Sequence, residues 1–256
     1  MGKFDKDSLK ARMNKYEEVY KQQLVPKMPI VMRIDGKAFH TFTKNMAKPF
    51  DDLLIDAMQR TMVALCKDIQ GAKFGYTQSD EITIVCTIDD VVKSQQYFDG
   101  RVQKILSITA SKATKYFNRY FYENVQKIDL FNNVAGRNVY EKKLFEAEFD
   151  CRVFNLPDYE IVNNLIWRQQ DAVRNSIQAL AQAYFPSKQL DHKSTSEQMD
   201  MLMQIHGVNW NDYPPHKKRG SCCYKIEGSG WYLDTSMPII TEDRGFFEDI
   251  FKVKED

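Results

Sequence analysis

"GYTQSDEITIV", residues 75–85, sets Gln78-Ser79-Asp80-Glu81 between two short apolar runs. Those runs, 72–77 and 82–88, are rich in Val, Ile, Thr, Tyr and Phe and read as β-strands, which makes the polar residues the turn of a hairpin. Two adjacent carboxylates at the tip of a buried hairpin need a reason. A solvated turn is the plain one, since Asp and Ser are common turn residues. The other is that the tip faces a positive charge.

Upstream, "MPIVMRID" at 28–35 reads as a buried strand ending in Asp35-Gly36. After "AKPF", Asp51 is placed to cap a helix running to about Gly71, with Leu54, Met58, Met62, Leu65 and Ile69 at helical spacing. Downstream, a second long helix is predicted from about 94 to 121, with Ile105, Thr109, Ala113 and Phe117 on its apolar face. "FDCRVFNLP" at 149–157 supplies a fourth strand. The order β-α-β-β-α-β is the ferredoxin-like arrangement of an α+β fold, in which the first and third strands pair at the centre of an antiparallel sheet. That pairing brings Asp35 to Asp80 and Glu81, although 45 residues separate Asp35 from Asp80.

The loop after "NLPDY" divides the chain into a catalytic segment, 1–157, and an appended, mainly helical segment, 158–256. In the latter, Ser194 and Glu197 have capping-box spacing ahead of Met199, Leu202 and Met203. "HKKRG" at 216–220 precedes a strand, "SCCYKIE", and its Lys217, Lys218 and Arg219 are either a basic turn or phosphate contacts.

Composition narrows the classes. A chain of 256 residues can bury a core without staples. Cys66, Cys86, Cys151, Cys222 and Cys223 show no zinc-site or disulfide spacing, which fits a reducing, cytoplasmic setting. No apolar run is long enough for a membrane span, and no membrane partner is expected. Met1-Gly2 suggests myristoylation, but Lys6 stands where Ser or Thr is wanted. A net charge of +1 neither suggests nor excludes a nucleic acid, though basic clusters occur at 101–119 and 216–219.

Clustered carboxylates are usually reconciled by a divalent cation. Magnesium prefers oxygen ligands and is often held by one or two carboxylates together with substrate phosphates. Asp35 and Asp80 supply that number, and Gly36 leaves its backbone carbonyl unshielded. Two such ions serve in-line nucleotidyl displacement.

"RIDGKAFHTFTK" at 33–44, "AKPFDD" at 47–52, "GYTQSDEITIV", "FDCRVFNLP" and "WRQQDAVRNSIQAL" at 167–180 together resemble, in order and spacing, the tRNA-histidine guanylyltransferase superfamily. The resemblance implies a polymerase-like palm that adds nucleotides to the 5′ end of RNA, in the 3′–5′ direction. It implies that Asp35, Asp80 and the Gly36 carbonyl hold two Mg²⁺ ions, with Glu81 assisting. Lys37, Ala38, Phe39, His40 and Ser79 would lie along a nucleoside triphosphate, with Lys48, Arg101 and Lys104 as further cationic contacts. Read alone, His40 is equally a histidine near the core, and Arg101 and Lys104, at i,i+3 spacing, equally the solvated face of a helix.

Family members that add one guanylate to tRNA-histidine carry His-Ile-Asn-Asn after "WRQ-D". Here Val173 and Arg174 stand in that stretch and Asn175 is kept. The departure points to the Thg1-like branch, characterised as template-dependent 3′–5′ polymerases that repair 5′-truncated tRNA. The implied chemistry activates the RNA 5′-phosphate with ATP, after which the 3′-hydroxyl of GTP or another NTP attacks it. Base pairing then chooses the nucleotide, and the protein reads helix shape and backbone of the tRNA acceptor stem. Arg168 and Asn175, with the basic turn, are the candidate RNA contacts, and a homotetramer is the family expectation. Two rivals share the topology: a noncatalytic RNA-recognition module, whose sheet would carry stacking aromatics instead of carboxylates, and a nucleotide cyclase, which would need no appended segment.

Overall fold

The computed structural model describes residues 8–88, 95–128 and 134–252. In chain order the elements are α1 (Leu9–Glu18), β1 (Ile30–Gly36), α2 (Phe39–Phe42), α3 (Asp52–Asp68), β2 (Ala72–Gln78), β3 (Glu81–Cys86), α4 (Val102–Val125) and α5 (Val134–Glu141). There follow β4 (Phe149–Asn155), α6 (Asp158–Tyr184), α7 (Ser187–Leu190), α8 (Thr195–His206), α9 (Pro215–Arg219), β5 (Ser221–Ile226), β6 (Gly230–Asp234) and α10 (Arg244–Phe251).

The six strands form one antiparallel sheet in the order β4-β1-β3-β2-β5-β6. Its first four strands are the expected ferredoxin-like unit. The last two come from the C-terminal segment, since Phe74 to Thr77 of β2 pair with Tyr224 to Ser221 of β5. The expected boundary at 157/158 is therefore not a boundary of the core: the appended segment completes the same sheet, and its α6 covers one of the sheet's faces.

Alternation along the strands sorts side chains to two layers. Ile30, Met32 and Ile34 of β1, with Ile82 and Ile84 of β3, face α3 and α4 and join Met58, Met62, Leu65, Ile105 and Phe117 in the larger core. Val31, Phe74, Tyr76 and Val85 face the other way, onto Ile161, Val162 and Leu165 of α6 and Phe247 of α10. A smaller core joins Leu180 and Ala181 to Leu202 of α8.

The expected caps form. Asp51 accepts from Leu54 N at 2.9 Å and starts α3. Ser194 and Glu197 make the reciprocal capping box of α8. The second long helix starts later than expected, because residues 97–100 form a separate turn in which Phe98 and Asp99 have positive φ. Arg101 therefore caps α4 instead of lying within it. The expected start at 94 and the Met1-Gly2 signal fall outside the described residues. No helix among the described residues is long and apolar enough to cross a membrane, and the five cysteines are free thiols.

Candidate active site

The tip of the β2–β3 hairpin meets the end of β1. Asp35 is registered opposite Glu81, and Gly36 N donates to Asp80 O at 3.0 Å. The turn is the two residues Ser79-Asp80, with Ser79 in the left-handed region (φ 49°), where few non-glycine residues sit. The Ser79 hydroxyl donates to Asp80 Oδ1 at 3.1 Å and Thr77 Oγ1 to Glu81 O at 2.9 Å, so the strained tip is held by its own side chains. Burial pushes the Asp80 carboxyl above its ordinary range, and the charge of Asp35 adds to the rise, against the local hydrogen bonds. These two carboxylates sense one another across the strand pair, as the topology required.

Asp35 also faces cations. Arg33, two residues earlier and so on the same face, brings Nε to 3.4 Å from Asp35 Oδ2, and Arg152 of β4 brings Nη2 to 3.8 Å. Neither carries a hydrogen bond: Arg33 Nε and Asp35 Oδ2 are buried without a hydrogen-bond partner.

Beyond β1 the chain turns through Ala38, itself left-handed (φ 53°), into α2. Phe39 is buried against Phe42, Phe117 and Phe149 at ring-centre distances of 4.9, 5.5 and 5.1 Å. Its ring lies on Gly36, where a Cβ would come within 2.3 Å of it. Gly36 is thus required by packing at the point where the backbone borders the cleft. That cleft is lined by Gly36, Ala38, Phe39, His40, Thr43, Leu54, Ser79 and Asp80. His40 is exposed there, with Nε2 3.0 Å from Thr41 Oγ1, and is not a core histidine. Lys37 is exposed and bonded to Glu148 Oε2 at 2.6 Å, and Lys48 is exposed beside Pro49, which lines an adjoining cavity with Phe50, Ser79 and Asn175.

Several expected site residues lie elsewhere or are already engaged. Glu81 is buried and accepts from Arg168 Nε at 2.8 Å, so neither Glu81 nor Arg168 faces the cleft or an RNA surface as expected. Burial raises the Glu81 carboxyl, with Arg168 opposing. Arg168 also donates to Asp171 Oδ2 at 2.5 Å, which in turn accepts from Asn175 at 3.4 Å. Lys217 pairs with Asp52 at 2.6 Å, Lys218 donates to Asn211 O at 2.6 Å, and Arg219 Nε donates to Met237 O at 3.0 Å. The basic turn is consumed in docking the C-terminal segment. Arg101 forms a bridge with Gln23, close to the start of β1, whereas Asp35 lies near its end; five residues of strand span about 17 Å. Lys104 lies over the Phe98 ring at 4.9 Å, at that same end. In this chain they do not converge with the carboxylates, because α4 begins beside the start of β1 and Asp35 stands near its other end.

Arg33 and Arg152 were not among the expected residues. The available signal was the alternation that puts Arg33 on the Asp35 face; the cross-strand position of Arg152 needed the register.

The donor set fits a hard cation that takes few protein ligands. Among the described residues no three His, Cys, Asp or Glu side chains converge into a cage. An unbonded, buried Asp35 oxygen and an Asp80 carboxyl raised by its neighbour are what a shared magnesium ion would relieve.

Comparison with known proteins agrees with this geometry. The family described as "Thg1: tRNAHis guanylyltransferase" matches residues 10–157. A solved bacterial tRNA(His) guanylyltransferase (Thg1)-like protein in complex with ATP is 42% identical, with a TM-score of 0.84 over 95% of this chain and 99% of that one. A second such structure, in complex with GTP, is 38% identical, with a TM-score of 0.75 over the same shares. Among sequences, an uncharacterized protein of Acanthamoeba polyphaga mimivirus is 31% identical over 82% of this chain and 74% of its own length. A probable tRNA(His) guanylyltransferase of Dictyostelium discoideum is 28% identical over 77% and 75%. The match to residues 10–157 contains β1, the hairpin and both carboxylates, and on it the chain belongs to the tRNA-histidine guanylyltransferase (Thg1) family of nucleotidyltransferases.

Proposed function

We propose that this chain is a template-dependent 3′–5′ nucleotidyltransferase that adds nucleotides to the 5′ end of RNA, repairing 5′-truncated tRNA. The observation that carries the reading is the docking of the hairpin tip on the end of β1, where Gly36 N donates to Asp80 O and the charge of Asp35 is felt by Asp80, beside a cleft lined by Gly36, Ala38, His40, Ser79 and Asp80. Val173 and Arg174, in place of the histidine-containing segment of the single-guanylate enzymes, favour templated addition.

Asp35 and Asp80 would hold two Mg²⁺ ions, which supply charge neutralisation at the phosphates and a more acidic attacking hydroxyl. The loop at 37–40 and Ser79 would orient the triphosphate, with His40 within reach of it from the cleft wall. In the first step an oxygen of the RNA 5′-phosphate attacks the α-phosphorus of ATP and pyrophosphate leaves. In the second, the 3′-hydroxyl of GTP or another NTP attacks the phosphorus of the RNA 5′ end; AMP leaves and the hydroxyl proton passes to solvent. Both displacements need phosphorus held in line with the charge on its oxygens neutralised, and one pair of cation-holding carboxylates would serve both. The enzyme would act on the tRNA acceptor stem in the cytoplasm, as a homotetramer.

The test uses a tRNA transcript lacking its first nucleotide, with a 5′-monophosphate, Mg²⁺, ATP and each NTP in turn. Addition of the complementary nucleotide alone, abolished by Asp80→Asn, is the expected result. Guanylate addition restricted to full-length tRNA-histidine would replace templated repair with single-guanylate transfer, and a cyclic nucleotide formed from NTP alone would overturn both.

A further inference from the structure

The sheet face that carries Asp35 holds a group that the proposed reaction leaves unused. Arg33 and Arg152 stand directly opposite one another on β1 and β4. Like charges so placed repel, and an anion between them relieves this. Among the described residues only one Asp35 oxygen approaches both, at 3.4 and 3.8 Å, and it makes no hydrogen bond. Asp150, opposite Asp35 on β4, is exposed at the sheet edge. The Arg152 side chain is 61% exposed. Beside the pair is Trp167 of α6, 51% exposed, with the Arg33 guanidinium 5.9 Å from its ring centre.

We propose that Arg33, Arg152 and Trp167 seat the 5′-terminal nucleotide of the RNA, the guanidiniums taking its phosphate and the indole stacking on its base. This rests on the function proposed above. Once Asp35 turns to a cation, both arginines lose the carboxylate they share, and their planar forks match phosphate oxygens. A phosphate held there lies beside Asp35, while the nucleotide cleft opens past Gly36 at the end of the same strand. Stacking on an indole is tolerant of base identity, which suits an acceptor whose sequence is read by pairing.

The test measures binding without NTP, in Mg²⁺, of two transcripts that lack the first nucleotide, one with a 5′-monophosphate and one with a 5′-hydroxyl. Fluorescence anisotropy of labelled RNA gives the affinities, and ATP binding by each variant reports its fold. The wild type should prefer the phosphorylated RNA by about tenfold, a charge-assisted contact. Arg152→Ala should reduce that preference to within about twofold, Arg152→Lys should restore part of it, and Trp167→Ala should weaken both RNAs by about tenfold. A wild type without the preference, or Arg152→Ala and Arg33→Gln proteins that keep it, overturns the seat. If those proteins still extend RNA, the proposed function stands; a wild type that binds both RNAs and extends neither overturns that reading instead.

Discussion

Arg168 Nε lies 2.8 Å from Glu81 Oε1 in a pair whose members are 5% and 7% exposed, so the last acid of the hairpin tip is anchored to α6 and turned from the cleft. Attraction inside a protein compensates the loss of hydration only while both partners remain. The pair therefore acts as a strut: it fixes where β3 begins, and with it the adjacent Asp80.

Removing one partner should be costly. Arg168→Leu strands Glu81 and also releases Asp171, and breaking a buried pair costs roughly 3–5 kcal/mol. Replacing both, as Arg168→Met with Glu81→Leu, should recover most of that loss. Denaturant midpoints for the single and double variants check this; a single variant within about 1 kcal/mol of wild type would sink the strut.

Gly36 and Phe39 should be coupled. Gly36 does not have a positive φ, so alanine is resisted by the ring, whose nearest atoms lie 2.3–2.7 Å from the added Cβ. The ring cannot yield, being packed on Phe42, Phe117 and Phe149. Gly36→Ala should cost about 1–3 kcal/mol by overpacking, and Phe39→Ala about 3–5 kcal/mol by leaving a cavity. The double variant should cost clearly less than their sum, because the methyl enters the vacated space. Additive losses in thermal unfolding would refute the contact.

The part of this fold that follows local rules was legible. Period-2 and period-3.6 patterns located β1, α3, β2, β3 and β4, and the topology alone brought Asp35 to Asp80. Side chains whose role depends on a distant partner were not. Arg168 of "WRQQD" is expected as an RNA contact, yet it is buried in a pair with Glu81, 87 residues away. "HKKR" reads as a basic patch, yet its acceptors are Asp52, the Asn211 carbonyl and the Met237 carbonyl. Arg101 was misplaced by a local event: the left-handed pair Phe98-Asp99 delays α4 and leaves the arginine at its cap. Propensity does not report such a pair, since neither residue is a glycine.

Lys217 makes the RNA question concrete. Its side chain is 19% exposed and is paired at 2.6 Å with Asp52, in the first turn of α3. Lys217→Ala should lower stability by about 0.5–1 kcal/mol, the scale of a partly exposed pair. RNA affinity and its salt dependence should stay unchanged, because each phosphate contact contributes close to one unit of slope in log affinity against log salt. A slope reduced by about one unit would return Lys217 to the RNA surface.

Asp80 sets a pH dependence whose sign can be stated. Burial and the charge of Asp35 raise its carboxyl above the ordinary 3.8, so the folded chain holds a proton that the unfolded chain releases. Where the unfolded state binds fewer protons, stability falls as pH rises. Without metal, this contribution should therefore be lost between pH 3.8 and the raised value, and stay lost above it. A divalent cation reverses the balance, because it binds the ionised carboxylates and displaces the proton. The Tm gained on adding Mg²⁺ should then be small in mildly acidic buffer and larger at neutral pH. Asp80→Asn should raise the metal-free Tm at neutral pH and abolish the Mg²⁺-dependent gain. Thermal unfolding at two pH values, with and without Mg²⁺, measures both effects. A gain equal at the two pH values, or one that survives Asp80→Asn, would mean that the cation binds away from the hairpin tip.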